Sequence, residues 1–128
     1  MEFIQRKELV TEELPGRKIQ KAVGKASAVS SRQMTVGFAT YSAESGPMEP
    51  HHHAEETVVV IDCEKGWVRW GASKDNLTGR RRLQKEDIMH FNELEWHVFE
   101  YETGGFIDII FIYGQVDNIR PEEIISQK

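Results

Sequence analysis

Apolar and polar residues alternate with a period of two through most of this chain. Met34, Val36, Phe38 and Thr40 interleave with Thr35, Gly37, Ala39 and Tyr41, the repeat of a strand whose side chains point alternately to two faces. Thr57 to Ile61 is a nearly continuous β-branched run, and a further strand is expected at Trp67-Val68-Arg69-Trp70. There Trp67 and Arg69 share one face and Val68 and Trp70 the other. Ile88 to Phe91, Trp96 to Tyr101 and Phe106 to Tyr113 read as strands as well. Turn chemistry separates them, at Leu14-Pro15-Gly16, Ser42 to Pro47, Asp62 to Gly66, Ser73 to Gly79, Lys85-Glu86-Asp87 and Thr103-Gly104-Gly105. Arg6 to Glu13 fits a short helix or a strand, Arg17 to Val23 an extended piece, and Gly24 to Ser31 a loop. Asp117 to Lys128, with Pro121 near its first turn, predicts a short terminal helix. Many short strands, with turns every ten residues or so, predict an all-β sandwich or barrel.

Composition adds boundaries to this picture. A chain of 128 residues is most simply one domain with a substantial core. It divides into an N-terminal arm with extra strands (1–31), a core barrel (32–116) and a C-terminal tail (117–128). The net charge of −5 gives no support for nucleic-acid binding, which rests on neutralising phosphates. No apolar run approaches the ~20 residues of a membrane span, and Met1 to Thr11 lacks the apolar core of a secretory signal. The single cysteine, Cys63, excludes an intrachain disulfide, so a reducing cytoplasm is the expected location. With Asp62 and Glu64 beside it, Cys63 reads as a small buried hydrophobe rather than a nucleophile. Arg80-Arg81-Arg82 reads as a solvated strand edge. Arg69 is either an inward arginine that needs an anionic partner or an outward one beside Trp67. The apolar positions Phe3, Ile4, Leu9 and Val10 could pair with the sheet edge of a second subunit, giving a homodimer.

The candidate chemistry lies in Glu49-Pro50-His51-His52-His53-Ala54-Glu55-Glu56. Imidazole nitrogens and carboxylate oxygens are the natural ligands of a divalent transition metal. Along an extended chain His51 and His53 point one way and His52 the other, which makes a chelating pair next to acids that could complete the set. A second histidine region holds His90 and His97.

With both regions located, the sequence resembles the cupin superfamily. That family's first motif runs Gly, a few residues, His-x-His, three or four residues, Glu, six residues, Gly. Its second runs Gly-x5-Pro-x-Gly-x2-His-x3-Asn. Here Gly46 to Gly66 carries the first motif and Glu86 to Tyr101 the second. Several positions depart. Cys63 stands where the first motif ends in Gly, Glu86 and Leu94 replace the two glycines of the second, Asn92 the proline and Tyr101 the asparagine. His51 and His53 fit with Glu56 only if the intervening loop is one residue short.

The resemblance implies a double-stranded β-helix (jelly-roll) barrel and a metal ligand set of His51, His53, Glu56 and His97. Two other sets remain open: Glu49, His51, Glu56 and His97, or His52, Glu56 and His97. The ion would be Fe(II), Mn(II), Ni(II), Co(II) or Zn(II), and Glu49, Glu55 or His90 would handle protons near it. The resemblance is consistent with a metal-dependent dioxygenase, isomerase or lyase acting on a small polar metabolite, a sugar acid or a keto or hydroxy acid. The alternative is a non-catalytic small-molecule binding or sensing module, and a third reading is a barrel whose mouth holds no metal.

Overall fold

The computed structural model describes residues 1–115. The helix expected over 117–128 lies outside the described residues. Eight strands are formed: β1 (Glu12–Leu14), β2 (Arg17–Gly24), β3 (Val29–Ser30), β4 (Thr35–Ser42), β5 (Glu56–Gly71), β6 (Gly79–Arg82), β7 (Ile88–Phe91) and β8 (Trp96–Tyr113). Short 3-10 turns cover Arg6–Glu8 and Ala43–Ser45. The sheet order is β1-β2-β4-β8-β5-β6, with β3 beside β2 and β7 beside β5. Every pairing is antiparallel except β2 with β3. Among the described residues no helix is long and apolar enough to cross a membrane.

Two expected turns are not chain reversals. Asp62 to Gly66 lies inside the 16-residue strand β5, and Thr103 to Gly105 lies inside the 18-residue strand β8. The two strands pair along their length, with irregularities between Val60 and Asp62 and between Glu64 and Gly66. At the second one, Glu64 faces Phe106 and Gly66 faces Tyr101, so Lys65 opposes the four residues Glu102 to Gly105. Surplus residues on one strand bend and twist a ribbon. Lys65 and Gly104 take up the positive φ this requires, 55° and 83°. The composition of both segments therefore marks a bulge at which the ribbon folds over. The folding-over is visible in β8 itself. Its residues 97 and 113 would be about 50 Å apart in a straight strand, yet both rings lie within 5 Å of the His53 ring, centroid to centroid.

Alternation decides what the barrel encloses. On β4 the buried residues are Thr35, Gly37, Ala39 and Tyr41, and on the second half of β8 they are Ile107, Ile109, Phe111 and Tyr113. Ala39, Tyr41 and the four β8 residues join Val58, Val60, Val68, Leu83, Phe91 and Phe99 in one apolar core. Arg69 takes the outward alternative and pairs with Glu100 at 2.8 Å. The arginine run forms β6, which among the described residues pairs with β5 alone, with Arg80 lying 3.7 Å over the Trp67 ring. Cys63 is half-buried, and burial together with Asp62, Asp87 and Glu64 pushes its thiol pKa up. At a given pH below its pKa, a raised pKa leaves less thiolate. Cys63 is therefore expected to react more slowly with a disulfide reagent at pH 7–8 than a free cysteine. A rate equal to that of free cysteine would contradict this environment.

The N-terminal arm is tied to its own sheet. Arg6 donates to both carboxylate oxygens of Asp108 at 2.8 Å and to Gln20 at 2.9 Å, and its guanidinium sits 4.2 Å over Phe38. Leu9 is buried, while Met1, Phe3 and Val10 are exposed.

Candidate metal centre

His51, His52 and His53 precede β5 in an extended stretch joined to β8 by a single bridge. The His51 N–H donates to the His97 carbonyl at 3.0 Å and the His97 N–H to that of His51 at 2.9 Å. Extended geometry sorts the three side chains as their spacing suggested. His51 and His53 turn into the barrel, both 7% exposed, whereas His52 stacks on Trp96 at 4.1 Å and 11°. His97 enters from the second position of β8, 1% exposed and stacked on Phe91 at 4.0 Å. The three inward imidazoles offer ligand atoms that all lie within 4.8 Å of one another. Glu56, the first residue of β5 and also buried, lies beside two of the three. One of its oxygens lies 3.5 Å from His53 Nε2 and 3.6 Å from His97 Nε2.

Each inward ring is oriented through its other nitrogen. His51 Nδ1 lies 3.1 Å from the Glu49 carbonyl, His53 Nδ1 2.8 Å from that of Ala54, and His97 Nδ1 2.7 Å from that of Glu95. A carbonyl oxygen only accepts, so each Nδ1 carries the proton and each Nε2 presents its lone pair. Such outward anchoring fixes tautomer and ring orientation in metal sites. Three imidazole lone pairs thus lie together, two of them beside a buried carboxylate. Among the described residues His97 Nε2 is buried with no hydrogen-bond partner. An unsatisfied buried acceptor beside a buried carboxylate is costly, and a divalent cation is what this donor set fits.

Tyr113, at the far end of β8, contributes its hydroxyl, 3.3 Å from His53 Nε2. Burial first, then the charge of Glu56, holds the phenol pKa of both Tyr113 and Tyr41 well above the usual value. Both remain neutral donors. A cavity of about 40 Å³ opens against these groups, lined by Arg17, Tyr41, Met48, His51, His53, Glu56 and Tyr113, with apolar walls from Ile19, Phe99 and Phe111.

Other candidates from the sequence lie elsewhere. The Glu49 side chain is exposed, 3.8 Å from Lys74. Glu55 and His90 are exposed too and pair with each other at 2.8 Å, while His90 Nδ1 meets the Thr57 hydroxyl at 2.9 Å. Glu49 and Glu55 lie in the segment before β5 and His90 points outward on β7, and none of the three lines the cavity beside the cluster. Arg17 and Tyr113 were not legible as site residues. The parity of Ile107, Ile109 and Phe111 could have given Tyr113, but nothing local marks Arg17.

The substituted glycines of the second motif keep the backbone that glycine supplies. Glu86 has φ 74° and Leu94 φ 67°. Their N–H groups bind the carbonyls of Val60 (2.9 Å) and His53 (2.9 Å). The left-handed conformation costs a non-glycine residue about 1–2 kcal/mol, partly offset by glycine's larger unfolded-state entropy. Leu94→Gly, which removes an exposed side chain, is expected to stabilise the protein by up to about 1 kcal/mol in urea unfolding. Destabilisation would show that Leu94 packs more strongly than its exposure indicates.

No protein-family model matches the sequence, and no curated protein matches it. Solved structures do match. The polyketide cyclase RemF from Streptomyces resistomycificus superposes with a TM-score of 0.72 at 16% identity, over 94% of this chain and 82% of its own. Lactobacillus farciminis oxalate decarboxylase gives 0.67 at 12% identity, over 95% of this chain and 36% of its own. The Fe(II) form of HppE gives 0.66 at 12% identity, over 88% and 60%. These neighbours are cupin-fold proteins. The fold is therefore the cupin fold: an all-β barrel whose buried face carries a three-histidine cluster able to hold a metal.

Proposed function

We propose that this chain is a metal-dependent cupin enzyme acting on a small polar metabolite, a sugar acid or a keto or hydroxy acid. In this reading His51, His53, Glu56 and His97 hold one divalent transition metal ion, Fe(II), Mn(II), Ni(II), Co(II) or Zn(II). The observation that carries it is the convergence of three outwardly anchored imidazoles, two of them beside a buried glutamate. A bound ion of this kind polarises an oxygen ligand and lowers the pKa of bound water. The chain's own residues do the rest. Tyr41 and Tyr113 offer neutral hydroxyl donors, and Ile19, Phe99 and Phe111 exclude water from the cavity. Fold likeness to a cyclase, a decarboxylase and an Fe(II) protein supports a metal-using site without selecting a reaction.

One observation favours the second reading, a non-catalytic binding or sensing module. Glu49, Glu55 and His90 are exposed and absent from the cavity lining, which leaves the two tyrosines as its proton donors. A panel of 2-oxo, 2-hydroxy and sugar acids offered to metal-loaded protein separates the two. Turnover that stops on chelation supports the enzyme, and saturable binding without turnover supports the module.

A homodimer in a reducing cytoplasm belongs to the same proposal. Phe3 and Val10 remain exposed on the arm that leads into β1, which lies at one end of the sheet order. Sedimentation of a variant lacking residues 1–14 tests it: a dimer that persists rules out the arm as its interface.

A further inference from the structure

We infer that Arg17 is the anion-recognising residue of the cavity and that the ligand is a small organic carboxylate, which enters with its carboxylate between the cluster and Arg17. The inference rests on the metal reading above and narrows its substrate class. Arg17 opens β2 and lines the same cavity as His51, His53, Glu56 and both tyrosines. Its guanidinium is near enough to lower the pKa of both buried phenols, against the effect of Glu56. Among the described residues it makes no hydrogen bond or ion pair. Arginine presents a planar fork of donors matched to a carboxylate.

Its position is imposed by the turn before it. Gly16 has φ 85°, and its N–H donates to the Ser45 carbonyl at 2.8 Å. A Cβ at this glycine would lie 3.1 Å from the Met48 Cα and 3.3 Å from the Pro47 carbonyl oxygen. The β1–β2 turn is thus pressed against the segment that leads into His51, and Arg17 is delivered to the cavity from across the sheet. Size limits the ligand. A volume of about 40 Å³ admits roughly three water-sized groups, enough for a carboxylate and its neighbouring oxygen but not for a sugar ring. Charge acts in the same direction. A divalent ion over the single carboxylate of Glu56 leaves the site positive, and Arg17 adds a second positive charge.

The test uses the full chain loaded with Zn(II), with pyruvate and neutral pyruvamide as probes in titration calorimetry. Wild type is expected to bind pyruvate at least tenfold more tightly than pyruvamide. Arg17→Gln is expected to lose that preference while keeping its zinc content, its melting temperature and its pyruvamide affinity, and Arg17→Lys to restore part of it. Pyruvate affinity unchanged in Arg17→Gln at full zinc content overturns the inference and leaves the metal reading intact. Loss of zinc from Arg17→Gln, with pyruvate affinity unchanged once zinc is saturating, also overturns it, because Arg17 would then only balance Glu56. Absence of zinc from wild type overturns the metal reading and this inference with it.

Discussion

Replacing His97 with alanine is expected to weaken divalent-metal binding by at least about a hundredfold, the upper end of what loss of a mere supporting group costs. The same change at His52 is expected to leave affinity within a few-fold. His97 brings an imidazole whose Nδ1 is held by the Glu95 carbonyl and whose Nε2 faces Glu56 at 3.6 Å. Alanine removes the ligand atom and also leaves Phe91 without the ring stacked on it. The backbone bridge to His51 does not involve the side chain, so the strand pairing that places His51 survives. His52 is flanked by two histidines of the cluster yet lies against Trp96, outside it. Competition with a chromophoric chelator measures both variants. Equal losses at His52 and His97 would mean that the three histidines act as a general metal-attracting run rather than a built site.

Ile107→Ala is expected to destabilise the protein by about 2–5 kcal/mol, the range for emptying a large aliphatic site in a closed core. Ile107 is fully buried on β8, immediately after the bulge, with Gly66 of β5 against it. A Cβ on Gly66 would come within 2.6 Å of the Ile107 side chain, so the two strands touch where the ribbon folds over. Backbone on one side and core side chains on the other leave little that can collapse into the space. The loss would also loosen the fold-over that returns Tyr113 to the vicinity of His97. Ile112→Ala, on the opposite face of the same strand and exposed, serves as the control, with an expected loss below about 1 kcal/mol. Urea unfolding of both decides the matter, and similar losses would contradict the inward–outward assignment of β8.

Much of this arrangement is written in period-two patterns. Met34 to Tyr41 and Phe106 to Tyr113 show their strands directly, because each has one face in the core and one outside. The same parity sends His51 and His53 inward and His52 out, although the segment that carries them makes only one bridge. Local composition misled at Asp62 to Gly66 and Thr103 to Gly105. Polar and glycine-rich residues suit a bulge as well as a reversal, and what separates the two is the partner strand. The substitutions at Glu86 and Leu94 look like departures from the glycine motif, yet the backbone there keeps positive φ. Arg17 could not be foreseen. Its place in the cavity follows from Gly16 pressing on Met48, residues more than thirty positions apart. The one-residue-short spacing from His53 to Glu56 proves compatible with both reaching the same buried cluster.

If the convergent imidazoles and Glu56 form a metal centre, the protein as isolated or reloaded carries the ion. Elemental mass spectrometry of tag-free protein, before and after incubation with Fe(II), Mn(II), Ni(II) and Zn(II), tests it most directly. Close to one ion per chain is expected, with most of it lost in His97→Ala. A wild-type protein that holds no metal after any of these incubations would contradict it.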